Sequence, residues 1–268
     1  MRKHKGIIIT AIFLLAAVAA VAGCHRFKDH EKSENKASEL PESTAETTRE
    51  SSEPAPESEK SVDSAAESEE TQDHRHQDFY ISEIPDDIFE KMQGLSYKDN
   101  CTVPREDLRY LHVLHMGFDG QTKEGELVVN KAIAEDVLAI FRELYQAEYP
   151  IEKVCLVDEY DADDEASMSD NNSSAFNFRF ISHTTKVSKH GLGLAVDINP
   201  LYNPYVKTVN GKLSVEPANA TAYADQSRDF PHKIDHDDQC YKLFTQYGFT
   251  WGGDWKNSKD YQHFEKDL

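Results

Sequence analysis

Between His25 and Asp78 the chain carries almost no large apolar residue, and this stretch decides how much of the 268 residues can fold. It is built from Ser, Glu, Lys, Thr, Ala and Pro, with 16 Asp/Glu against 7 Lys/Arg. Such a segment cannot bury enough surface to offset its chain entropy, so disorder is expected, extended further by self-repulsion. As a flexible coil it would average roughly 40 Å end to end. Its histidines (His25, His30, His74 and His76) are read as solvated rather than as a metal tract. Folding is thereby confined to 79–268, which has Trp, Tyr and Phe throughout and is long enough for one domain with a sizeable core. That part holds 19 Lys/Arg against 33 Asp/Glu, a balance that argues against nucleic acid or an anionic membrane face as its partner.

The first 23 residues, MRKHKGIIITAIFLLAAVAAVAG, run from a basic start through a long apolar segment to small residues. This is the layout of a secretory signal, which is left out of fold reasoning. It ends in Val21-Ala22-Gly23-Cys24, which resembles the bacterial lipobox; the resemblance implies diacylation of Cys24 and a new N-terminus there. The expected organisation is a signal peptide over 1–23, a lipidated Cys24 with an acidic tether over 24–78, and a folded domain over 79–268. The domain would lie outside the cytoplasm, held to a membrane. Three further cysteines (Cys101, Cys155 and Cys240) permit one disulfide, whose pairing spacing does not determine.

In the domain, Ile133, Val137, Ile140, Phe141 and Leu144 form one apolar stripe, which predicts a helix over Asn130–Ala147 with Asn130 as N-cap and Pro150 beyond its end. A shorter pattern through Cys240, Leu243, Phe244 and Tyr247 predicts a helix over Asp238–Tyr247 that stops at Gly248. Strand character is found at Leu108–Leu114, Gly125–Val129, Val154–Val157, Leu194–Ile198 and Phe249–Trp251. Short strands with a few helices and no regular alternation point to α+β, a small antiparallel sheet with packed helices. Tyr202–Phe230 is polar and turn-rich and reads as an excursion from the core.

The chemistry concentrates in two places. Ser188–Pro200 reads SKHGLGLAVDINP, placing His190 and Asp197 on either side of a glycine-rich turn leading into a strand. Near the C-terminus, DYQHF sets Asp260 three residues before His263. Two histidines and a carboxylate make a three-ligand set suited to Zn²⁺ in a catalytic site, with one position open. Asp260 is spaced to stand beside the metal as a proton acceptor rather than a ligand. Four other histidines (His112, His115, His232 and His236) lack a comparable setting and are read as structural or solvated. The acidic run Asp158–Glu165 lacks the spacing of a calcium loop and is read as a solvated loop.

SKHGLGLAVDIN is similar to the S-x-H-x-x-G-x-A-x-D motif of the zinc D-alanyl-D-alanine carboxypeptidase family, which includes the vancomycin-resistance peptidases and related phage endolysins. D-Y-Q-H resembles that family's second motif, D/E-x-x-H. The resemblance spans most of 100–268 and implies a hedgehog/DD-peptidase-like zinc peptidase fold. It implies His190, Asp197 and His263 as zinc ligands, Asp260 as base, Arg179 as the oxyanion-stabilising residue, and Ser188 as a substrate-site residue that supports rather than reacts. The implied substrate is a peptidoglycan stem peptide. Cleavage of terminal D-Ala-D-Ala is favoured, and L-Ala-D-Glu cleavage is the alternative, because endolysin-type enzymes carry aspartate at the base position where the resistance dipeptidases carry glutamate. A non-catalytic wall-binding lipoprotein and a zinc-scavenging lipoprotein are the readings of a different class.

Overall fold

A computed structural model of the chain describes residues 78–182 and 184–268. The expected signal peptide, Cys24 and almost all of the tether lie outside the described residues. In chain order the elements are β1 (Tyr80–Ser82), α1 (Asp86–Met92), β2 (Leu108–Met116), β3 (Thr122–Asn130), α2 (Ala134–Gln146), β4 (Lys153–Val154), α3 (Asp164–Ser169), β5 (Asn172–Ser173), β6 (Ala195–Asp197), β7 (Tyr205–Val209), β8 (Lys212–Glu216), α4 (Gln239–Gln246), β9 (Thr250–Trp251), β10 (Ser258–Asp260) and β11 (His263–Glu265). The class is α+β. In place of one small sheet, three three-stranded antiparallel sheets form, in orders β1-β2-β3, β10-β7-β8 and β6-β11-β9, with β4 and β5 as a parallel pair.

The β2–β3 hairpin sits between two apolar clusters because both of its faces are hydrophobic. Leu111, Val113, Leu127 and Val129 enter the larger cluster with α2. Leu108, Tyr110 and Val128, on the opposite face by strand alternation, enter a second cluster with Ile88 and Met92 of α1. The helical stripe is as expected, with Ile133, Val137, Ile140, Phe141 and Leu144 all buried. Its start is not. Asn130 ends β3, where its N–H donates to Gly193 O at 2.8 Å and its Oδ1 accepts from Ala132 N at 3.0 Å, so α2 begins four residues later. The second helix ends before Gly248 as expected, and Asp238 caps its start by accepting from Cys240 N.

The strand expected over Val154–Val157 stops at Val154. Asn172 takes over the pairing, its Oδ1 accepting from Cys155 N and its Nδ2 donating to Cys155 O, after which the chain turns at Val157. The acidic run also departs from a solvated loop. Asp158 accepts from Ser96 N and Oγ, Asp163 caps α3, and Asp164 pairs with Arg179. These carboxylates find donors on the fold, so they order the segment instead of repelling it into solvent. The expected excursion is a β7–β8 hairpin, and β10, which ends at Asp260, adds to its edge. Cys101 and Cys240 are free thiols.

Candidate metal centre

The two halves of the site are joined by strand register. In the β6–β11 pair, Asp197 lies directly opposite His263, so both side chains leave the sheet on the same face. A second ladder pins Asp197 from its other side, where Ser174 and Asp197 exchange main-chain hydrogen bonds at 3.1 and 2.8 Å. Core packing holds β11 itself: Phe264, fully buried, stacks on Phe244 with centroids 4.2 Å apart.

His190 comes from the short turn His190–Leu192. Ser188 builds that turn, its Oγ accepting from Gly191 N at 3.0 Å and its carbonyl from Leu192 N. Ser188 is 5% exposed and its hydroxyl is engaged with the turn that carries His190. Gly193 closes the turn at φ +68, where a Cβ would stand 2.7 Å from Asn130 N. Left-handed backbone and close approach both demand glycine here.

Three ligand atoms converge. His190 Nε2 is 3.0 Å from His263 Nδ1 and 3.2 Å from Asp197 Oδ2, and His263 Nδ1 is 3.1 Å from Asp197 Oδ1. All three residues are buried. Each imidazole has its other nitrogen committed. His190 Nδ1–H donates to Ala175 O at 2.6 Å, and His263 Nε2–H donates to Glu265 Oε2 at 3.0 Å. Those partners fix the tautomers, leaving His190 Nε2 and His263 Nδ1 as lone pairs aimed at one point.

The electrostatics describe a site that calls for a cation. Burial opposes charge on Asp197, yet His190 and His263 hold its carboxyl far below the usual range. Burial would lower the His263 pKa, but its hydrogen bonds to Asp197 and Glu265 raise it to about 10. Asp260 lies beside the cluster with its Oδ1 closed off from solvent and without a hydrogen-bond partner. Burial, helped by Asp197 and opposed by His263, lifts its pKa to about 6. Gly252 lets Asp260 come this close, since a Cβ there would lie 2.7 Å from Asp260 Cβ and 3.2 Å from His263 Cβ. Two nitrogens and a carboxylate oxygen, with a second carboxylate left unliganded, fit a three-coordinate zinc site with one open position.

Arg179 is tied to the same turn through its backbone, and its Nε forms an ion pair with Asp164. The four histidines read as structural lie elsewhere. His115 Nδ1 bonds Ile151 O and burial lowers its pKa to about 4; His112 stacks on Tyr80, His232 on Phe118, and His236 pairs with Asp254. Two contributors have no signature in the motifs, Glu265 and the Ala175 carbonyl. For Glu265 a signal existed: two residues after His263 on a strand, it shares that residue's face.

Residues 182–266 match a family model described as D-alanyl-D-alanine carboxypeptidase. Over this stretch, about a third of the chain, the protein is similar to the D-alanyl-D-alanine carboxypeptidase family. The carboxypeptidase-family segment contains Ser188, His190, Asp197, Asp260 and His263, while Arg179 and Asp164 precede it. No curated protein and no solved structure matches the chain. At the level of this family the match supports a peptidase.

Proposed function

We propose that the chain is a zinc-dependent D-alanyl-D-alanine carboxypeptidase, of hedgehog/DD-peptidase-like fold, that trims peptidoglycan stem peptides. The observation that carries this reading is the convergence of His190, Asp197 and His263, their tautomers set by outer partners, beside the unpartnered Oδ1 of Asp260. Zn²⁺, when bound by those three residues, supplies a Lewis acid that polarises a scissile carbonyl and acidifies water.

The protein's own groups do the rest. Asp260, ionised above its raised pKa, accepts a proton from the attacking water and returns it to the departing amine of D-alanine. Arg179 offers guanidinium donors to the oxygen that becomes negative as the carbonyl is attacked. Ala175 and Glu265 keep both rings from rotating during the cycle. Lipidation of Cys24 would hold the enzyme to the outer face of a membrane, and the acidic tether would let it reach the wall. One feature favours L-Ala-D-Glu cleavage as a second reading: the base is an aspartate, as in the endolysin-type peptidases.

Incubation with defined pentapeptide muropeptides and mass spectrometry of the products separates these. Loss of a single alanine supports carboxypeptidase action; release of the stem peptide beyond its first alanine supports the endopeptidase. Hydrolysis that persists in both EDTA and Asp260→Ala would sink the mechanism.

A further inference from the structure

Ala175–Arg179 runs beside the turn that carries His190, and backbone contacts weld the two together. His190 Nδ1 donates to Ala175 O at 2.6 Å, Asn177 N to His190 O at 3.3 Å, and Ser188 N to Arg179 O at 2.9 Å. A Cβ on Gly191 would come within 3.0 Å of Arg179 O. Phe176 and Phe178 point into the second apolar cluster. Alternation along the extended chain leaves Asn177 and Arg179 on the other side. The Arg179 Cα is thus fixed relative to a metal ligand, but a long side chain of this kind still has rotamer entropy to lose before it can hold one geometry.

Asp164, the first residue of α3, supplies the restraint. One of its oxygens, Oδ2, pairs with Arg179 Nε. The other, Oδ1, accepts from Asn177 Nδ2 at 2.7 Å, and the same amide nitrogen donates to Ala162 O at 3.1 Å. Asn177 is only 2% exposed. The turn that delivers Asp164 is unusual: Asp161 and Ala162 are both left-handed, at φ 55 and 56. Alanine gains nothing locally from that conformation, which persists only where the surroundings impose it. Here the Ala162 carbonyl is gripped by Asn177. Arg179 Nε is buried and makes no hydrogen bond, so the contact is a charge pairing that draws the rigid guanidinium plane toward Asp164.

We propose that Asp164 is a positioning residue for Arg179, holding the guanidinium by its charge so that the remaining donors are presented to the substrate oxygen. The proposal rests on the peptidase reading above and assigns a role in it to a residue upstream of the matched family segment.

A double-mutant cycle on the full chain tests it, comparing wild type, Asp164→Asn, Arg179→Ala and the double variant, each with zinc content measured. A misplaced catalytic group costs up to about 100-fold, so Asp164→Asn is expected to lower kcat by roughly 10- to 100-fold with KM nearly unchanged and zinc content equal. In the Arg179→Ala background the same change is expected to cost nothing more, and Asp164→Glu is expected to recover part of the rate. Full kcat in Asp164→Asn, or losses that multiply in the double variant, overturns the proposal. If wild type hydrolyses no muropeptide, the peptidase reading itself fails, and thermal melting of the same four proteins decides the clamp: non-additive shifts support it and additive shifts overturn it.

Discussion

Glu265 offers the sharpest test of how the site is organised, because it touches the metal-binding set only through His263. Its Oε2 accepts from His263 Nε2 at 3.0 Å, while His263 Nδ1 faces Asp197 and His190 at 3.1 and 3.0 Å. The hydrogen bond from His263 holds the Glu265 pKa below its ordinary value, so Glu265 is a carboxylate at neutral pH. Glu265→Gln keeps an acceptor of the same length but removes the charge; Glu265→Ala leaves a buried N–H unpaired and frees the ring to carry its proton on Nδ1 instead. Outer partners of metal-ligating histidines contribute about 10- to 100-fold in affinity, or roughly 1.4–2.7 kcal/mol. Zinc affinity is therefore expected to fall about 10-fold in Glu265→Gln and to approach 100-fold in Glu265→Ala. Competition against a chelating dye reads the affinity, and melting curves confirm that β11 still pairs through its backbone. Wild-type zinc affinity in a folded Glu265→Ala protein would refute the reasoning, since the tautomer would then be set by something else.

Two more expectations follow from the same geometry. Gly252→Ala places a methyl 2.6 Å from Asp260 O and 2.7 Å from Asp260 Cβ, so it is expected to displace the base and depress hydrolysis more than zinc binding, as kinetics beside zinc titration would show. In the metal-free protein His263, with a pKa raised to about 10, is protonated at pH 7, whereas a metal needs the neutral ring. Zinc binding at pH 7 is thus expected to expel about one proton, and affinity to strengthen about tenfold per pH unit until the pH passes the His263 value. Calorimetry in buffers of different ionisation heat checks the sign; affinity independent of pH contradicts it.

Much of the site was legible in the sequence because its ligands cluster in two short motifs. The β6–β11 pairing sets Asp197 opposite His263, while His190 comes from the turn before β6 and Asp260 from the end of β10, which pairs with β7. What was illegible depends on distant contacts. Nothing local told that Asp164 would meet Arg179, or that Asp158 would meet Ser96 across 62 positions, so the acidic run looked solvated. Asn130 has the chemistry of a helix cap, but β3 and the Gly193 carbonyl claimed it first. The polar stretch after Tyr202 looked like an excursion, and its hairpin proves to be the edge on which the Asp260 strand is laid.

The central claim is that His190, Asp197 and His263 hold a metal which Asp260 serves without binding. Zinc content after exhaustive dialysis, compared among wild type, Asp260→Ala and Asp197→Asn, tests it most directly. The account predicts about one zinc per chain in wild type and in Asp260→Ala, and little in Asp197→Asn. Zinc lost from Asp260→Ala, or retained in full by Asp197→Asn, would contradict it.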